Sequence, residues 1–301
     1  MKAISNNTAA ILSDLSGAIL HLNEPGIMYP DDTGRSAFIE AFGIRSLTAN
    51  TLSGKLAFPD KRLSMPLNDS QYKWCAYKNE GVVEDLKALL TNCPIISFAD
   101  WSEIAGASGL WDGLLHDVIK DLHKRDFEFI FYLGDPTKRL AQEVDEILDI
   151  ISNFSLYGRV TLALHEEEAS KLWMVLNGYD PAVPLSAFRL PGAEEKYFSI
   201  LNTMNINNLL IRGIDRVLSL SKQEPFELVD KAHSYGGNAM DVRNNFNAGY
   251  ILGLQLQLEI SHCIALGLAV SGSYMENGIS PDQGALLLYI KRWMAELTQR
   301  V

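Results

Sequence analysis

From Val83 onward the chain alternates short apolar runs with longer amphipathic segments, and no other feature of it narrows the fold so far. The spacing predicts helix 83–90, strand "PIISFAD", helix 110–124, strand "FEFIFYLG", helix 137–153, strand "RVTLALH" and helix 166–176. Nearly continuous apolar runs separated by helices of ten or more residues are the pattern of a parallel sheet whose faces are covered by helices. The fold class is therefore α/β, doubly wound, with a mainly parallel central sheet. Further on, the pattern predicts a helical stretch 192–205, the strand "NLLIRG", a hairpin within "RVLSLSKQEPFELVDKA", and three closing helices, 245–259, 261–274 and 283–299. Ahead of Val83, apolar spacing predicts a helix over 7–15, then a short strand "AILHL", then a turn and helix in "YPDDTGRSAFIEAFGI". Residues 44–67 alternate polar and apolar in short pieces and are expected to form hairpins, a small β lid on one domain spanning 1–301.

The chain has 301 residues, 47% of them hydrophobic, enough for a large core. With a formal net charge of −11 and no clustering of its basic residues, it is not expected to bind nucleic acid by neutralising phosphates. Cys75, Cys93 and Cys263 form no CxxC pair, so neither a zinc site nor a disulfide framework is indicated. The start "MKAISNNTAAILSDLSG" is too polar for a signal peptide, and no apolar run approaches the roughly 18 residues of a membrane span. The expectation is a cytoplasmic protein with no membrane partner.

Sites in such folds lie at the carboxyl ends of the parallel strands, near helix N-termini. Those ends carry "FADWSE", "LGDPTKR", "ALHEEEA" and "AMDVRNNF", all polar and punctuated. Each has a plain reading. Asp100 and Trp101 make a turn; Asp135 caps a helix with Pro136 at its first position; His165 with Glu166, Glu167 and Glu168 is an acidic first turn matched to the helix dipole, or, through His165 and Glu168, a metal pair. The segment 239–244 reads as a polar loop feeding a helix that begins near Asn245. The helix's unpaired N–H groups suit a phosphate there. Read plainly instead, Asn244 is a cap, and Gly249 and Gly253 permit close helix packing.

At this segment the sequence resembles the ribokinase-like, or PfkB-type, carbohydrate kinases, whose late signature runs approximately TGAGDxFNAGF. Here "MDVRNNFNAGY" occupies Met240 to Tyr250: "NFNAGY" matches, and "GAGD" does not. Supporting likenesses keep the family's order. "PDDTGR" resembles its GxDxxG, "LGDPTKR" its DPNxR strand end, and "LHEEEA" its NxxE, with His165 at the Asn and Glu168 retained. Asn7 is the best match to an early sugar-binding Asn. The resemblance implies a three-layer α/β/α sandwich, transfer of the ATP γ-phosphoryl group to a sugar hydroxyl, magnesium organised through Glu168 and His165, and a homodimer paired through the lid.

The departures carry the functional expectation. The family's base, an Asp, falls on Asn244; a carboxamide cannot take the hydroxyl proton, and general-base help is typically worth about 10²- to 10⁴-fold. The anion-hole glycines fall on Asp241 and Arg243, so Val242, Arg243 and Asn245 would have to line the nucleotide phosphates with side chains present. The family's first strand and sugar-binding Asp precede the matched region, and only six residues precede Asn7 here. Coincident changes imply a kinase homologue of impaired activity, retained to bind a sugar or nucleotide or to interact with a partner. The alternative is an active sugar kinase with Asp241 as base and Arg243 as phosphate clamp.

Overall fold

The computed structural model describes residues 8–20, 49–50, 55–57, 62–64, 74–78, 80–91, 95–98, 101–103, 106–180, 191–222, 225–230 and 239–299. The expected helix in "YPDDTGRSAFIEAFGI" lies outside them, as does Asn7. The contacts divide the chain into two compact units: 46–213 with 218–225, and 1–45 with 214–217 and 226–301.

The larger unit holds the strands β4 (Ile95–Phe98), β5 (Phe127–Tyr132), β6 (Gly158–His165) and β7 (Asn208–Arg212), paired in that order and all parallel. In the six-stranded sheet the order continues through β8 (Arg216–Ser221) to β9 (Phe226–Val229). Between the parallel strands run the helices α4 (Ala107–Leu114), α5 (Ala141–Phe154), α6 (Glu166–Leu176) and α7 (Ala193–Thr203), in the alternation that the sequence predicts. Phe129, Ile130 and Phe131 on β5 are wholly buried, which is why that strand reads as an uninterrupted apolar run. Aromatic rings knit this core: Phe98 stacks on Phe131 at 4.6 Å, and Phe154 meets Phe98, Phe129 and Phe131 edge-on at 5.0–5.2 Å.

Ahead of this sheet stand α2 (Trp74–Tyr77), α3 (Glu80–Thr91) and a small antiparallel sheet of β1 (Ala49–Asn50), β2 (Lys55–Ala57) and β3 (Arg62–Ser64). The expected hairpins of 44–67 are therefore present. Helix 107–114 continues through one wide turn, Leu115–Ile119, and one tight turn, Lys120–Leu122. The predicted helix 137–153 is two pieces: Asp135 caps a single tight turn at Pro136–Lys138, extended backbone at Arg139 breaks it, and α5 starts at Ala141.

The smaller unit is built from α1 (Thr8–Leu20), α8 (Ala239–Gln255), α9 (Ile260–Asn277) and α10 (Gln283–Gln299), with β9. Residues 18–20, expected to open a strand, instead complete α1, whose Ile11, Leu12, Leu15 and Ile19 are buried at helical spacing. Every residue from Cys263 to Ser273 of α9 is buried, so this helix is enclosed on all sides. The connection from α8 to α9 closes as a Schellman motif: Leu258 N–H donates to the Gly253 carbonyl at 3.0 Å and Gln257 N–H to that of Leu254 at 2.9 Å. It puts Gln257 in the left-handed region, at φ 55°.

Candidate functional site

The carboxyl ends of β4 to β7 place the first group of candidates side by side in the larger unit. Trp101 N–H donates to Tyr132 O at 3.3 Å and Ser102 N–H to Leu133 O at 2.9 Å, so the chain after β4 runs on beside the end of β5. Trp101 and Ser102 are buried, and the Ser102 hydroxyl has no hydrogen-bond partner among the described residues. Arg139 donates to the Trp101 carbonyl at 3.2 Å with its guanidinium 5.6 Å from the indole ring, and Lys138 pairs with Glu103.

After β5, Gly134 turns the chain in the left-handed region, at φ 70°, and delivers Asp135. One carboxylate oxygen of Asp135 accepts from Thr137 N–H at 2.9 Å and from the Thr137 hydroxyl at 2.6 Å; the other accepts from Lys171 Nζ at 2.7 Å. Burial pushes this carboxyl up, but the Lys171 ammonium and the two Thr137 bonds outweigh it and hold Asp135 below the usual carboxylate range. Lys171 is raised in turn by Asp135 and then by Glu167, 2.8 Å from its nitrogen.

After β6, His165 caps α6, and its N–H donates to Glu168 Oε2 at 2.8 Å. That bond is half of a capping box, and it brings together the two residues of the expected metal pair while engaging one of their oxygens. His165 lies in register with Arg212 at the end of β7. One turn into α6, Ser170 accepts from Lys196 Nζ at 3.0 Å, and Glu166 accepts from Tyr197 OH at 3.2 Å. Lys196 is buried, which lowers its pKa, and Glu166 offsets only part of that.

The second group lies in the smaller unit. Helix α8 begins at Ala239, not near Asn245, so Asp241, Val242, Arg243, Asn244 and Asn245 are helical residues. By helix geometry the N–H groups of Arg243, Asn244 and Asn245 face carbonyls one turn earlier in the same helix. Asn244 is exposed, Arg243 half-buried, and Val242 and Asn245 buried. The polar residues suggest a loop because Asn and Asp favour caps and turns. What overrides them is a buried stripe at 242, 245, 246, 249, 250 and 253, packed on α9. A Cβ on Gly249 would lie 2.8 Å from Gly267 Cα, and one on Gly253 would lie 2.7 Å from Cys263 Cα, so the close packing read from these glycines is present.

Asp241 to Asn245 thus share one helix of the smaller unit, whereas His165 and Glu168 belong to the larger. Lys171 and Arg212 escape a reading by motif; the available signals are the four-residue step from Glu167 and the strand end.

The donor set does not fit magnesium. Mg²⁺ takes near-octahedral oxygen ligands, whereas the expected pair offers an imidazole and a carboxylate already holding a backbone N–H. Among the described residues no group of three or more His, Cys, Asp or Glu side chains could hold a metal ion. The N–H groups of Arg243 and Asn245 are likewise committed within α8, so they do not fit a nucleotide phosphate. Among the described residues no helix is long and apolar enough to cross a membrane.

No family model matches the sequence, and no curated protein does. Solved structures match by fold. An adenosine kinase from Sinorhizobium meliloti aligns with a TM-score of 0.51 at 10% identity, over 68% of this chain and 56% of that one. Anopheles gambiae adenosine kinase, in complex with P1,P4-di(adenosine-5) tetraphosphate, aligns with a TM-score of 0.51 at 14% identity, over 71% of this chain and 59% of that one. The chain spans less than two thirds of the length of either structure.

Proposed function

We propose that this chain, built on the ribokinase-like α/β fold, serves as a ligand-binding or interaction protein whose phosphoryl-transfer chemistry is impaired. The observation that carries the reading is Asn244: it stands exposed on the second turn of α8, where the resemblance puts the proton acceptor, and a carboxamide accepts no proton at neutral pH. Phosphoryl transfer draws most of its rate from positioning and from donors aimed at the transferring group. Two further features support the reading: backbone donors committed within α8, and a magnesium region whose carboxylate holds its own helix cap.

The test is a coupled ATP–magnesium assay of the purified chain against a panel of sugars and nucleosides, with calorimetric titration of the same compounds. Binding without turnover is the expected result, unchanged by Asp241→Asn. Turnover that Asp241→Asn abolishes and Asn244→Ala leaves intact would establish the alternative, with Asp241 as base and Arg243 as clamp.

A further inference from the structure

In the larger unit, helix α4 is irregular where it lies against the segment that precedes β4. It widens at Leu115–Ile119, where Lys120 N–H donates to the Leu115 carbonyl five residues back, and then tightens through Lys120–Leu122. No proline or glycine stands between Leu114 and Leu122, so the local sequence supplies none of the usual breaks in a helix ladder. Contacts along one row of the helix supply the reason instead. A Cβ on Gly113 would lie 2.0 Å from Trp74 Cγ and 2.3 Å from its Cδ1, so the indole rests on bare helix backbone. One turn on, Asp117 Oδ2 accepts from the Trp74 indole N–H, and Oδ1 accepts from Lys78 Nζ at 2.8 Å. A further turn on, Asp121 accepts from Lys87 Nζ at 3.0 Å. At about 100° per residue, each four-residue step along a regular helix drifts by roughly 40°, and positions 113, 117 and 121 would wind away from one another. A turn closed five residues back takes out part of that drift and keeps all three in one row.

We propose that Trp74–Lys78 is a strap whose docking on Gly113 and Asp117 holds α4 in this wide setting, and that α4 adopts a regular setting when the strap lifts. In the regular setting Lys120 N–H donates to the His116 carbonyl, four residues back, so the exchange loses no hydrogen bond and restores ordinary helix geometry. What favours the wide setting is the strap: the indole on Gly113 and the two donors on Asp117. The Lys78 ion pair is half-exposed and contributes little by itself, which leaves Trp74 as the anchor. In the first turn of α4, the Ser108 hydroxyl accepts from the Trp101 indole at 2.9 Å, so the element ends at the residues that follow β4. The inference stands apart from the functional reading above, since neither ligand nor turnover enters its measurement.

The experiment compares crystal structures and hydrogen exchange of the full chain as wild type, Trp74→Ala and Gly113→Ala, with Cys75→Ser, at an exposed position of the same segment, as control. Trp74→Ala removes the anchor. Gly113→Ala displaces the indole with a methyl group while favouring the helix itself. The wild type and Cys75→Ser are expected to keep Lys120 N–H on the Leu115 carbonyl. Both strap variants should shift it by one residue, to the His116 carbonyl, and lose exchange protection at Lys78, whose N–H donates to the Trp74 carbonyl at 2.7 Å. Folded Trp74→Ala and Gly113→Ala chains that retain the wide turn would overturn the proposal, because burial of Leu115, Val118 and Ile119 would then suffice to set it. So would a wild-type structure in which the indole rests on Gly113 while Lys120 bonds to His116, an arm that requires no variant to fold.

Discussion

Replacing Gly249 by alanine should destabilise the smaller unit, whereas the same replacement at Gly17 in that unit should stabilise it. Both glycines lie inside helices, so each exchange removes a helix-propensity penalty of about 1 kcal/mol. At Gly17 nothing lies within 4 Å of the added methyl, and the gain of about 0.5–1 kcal/mol is kept. At Gly249 the methyl would sit 2.8 Å from Gly267 Cα, 2.8 Å from Leu266 O and 2.9 Å from Val270 Cγ2, two of them backbone atoms that cannot turn aside. Overpacking of this kind typically costs about 1–3 kcal/mol. Subtracting the propensity gain leaves a net loss of up to about 2 kcal/mol, which at about 2–4 °C per kcal/mol is a fall of several degrees in Tm. Melting by circular dichroism, without any ligand, reads the global change, and hydrogen exchange of α8 and α9 peptides localises it. If Gly249→Ala raises Tm as Gly17→Ala does, the crossing of α8 on α9 does not depend on bare backbone, and the packing account of these glycines is wrong.

Two other substitutions read the physics of single residues. Gln257→Gly relieves the left-handed backbone at the end of α8 and should add about 1 kcal/mol, seen as a higher urea midpoint at unchanged m-value. Lys196→Met replaces a buried ammonium by an apolar chain of similar length, taking its titration out of the larger unit and leaving the buried Ser170 hydroxyl without that donor. The sign with pH follows from the lowered pKa: the unfolded chain holds the proton up to the ordinary lysine value of 10.5 and the folded chain gives it up earlier. Wild-type stability should therefore rise with pH across the interval below 10.5, and Lys196→Met should lack that component; parallel denaturation series from pH 7 to about pH 10.5 compare the two.

The parallel strands were legible because burial on both faces forces continuous apolar runs. "FEFIFY" and "RVTLALH" can hardly be anything else once helices flank them, and β5 and β6 end within two residues of their predicted limits. The last helix, 283–299, agrees at both ends. Lys171 was opaque for the opposite reason, since Asp135 lies 36 residues away and only the fold brings them together. The short strand expected in "AILHL" failed because a five-residue apolar run cannot by its own pattern be told from the last turn of a buried helix.

Helix α8 holds the sharper lesson. The half of its segment that matches the kinase signature, "NFNAGY", is the packing half: Asn245, Phe246, Ala248, Gly249 and Tyr250 are buried. A Cβ on Gly267 would meet the Phe246 ring at 2.9 Å, so Phe246 and Gly249 both press on α9 where it carries no side chain. The half that departs contains the exposed Asn244 and the half-buried Arg243 beside Val242, which is buried in the stripe. The resemblance is strongest at residues whose alteration would open or overfill the helix pair, and weaker across the half in which, among the described residues, Val242 alone is buried against it. Likeness in "NFNAGY" is therefore an argument for the fold, and it lends no weight to retained catalysis.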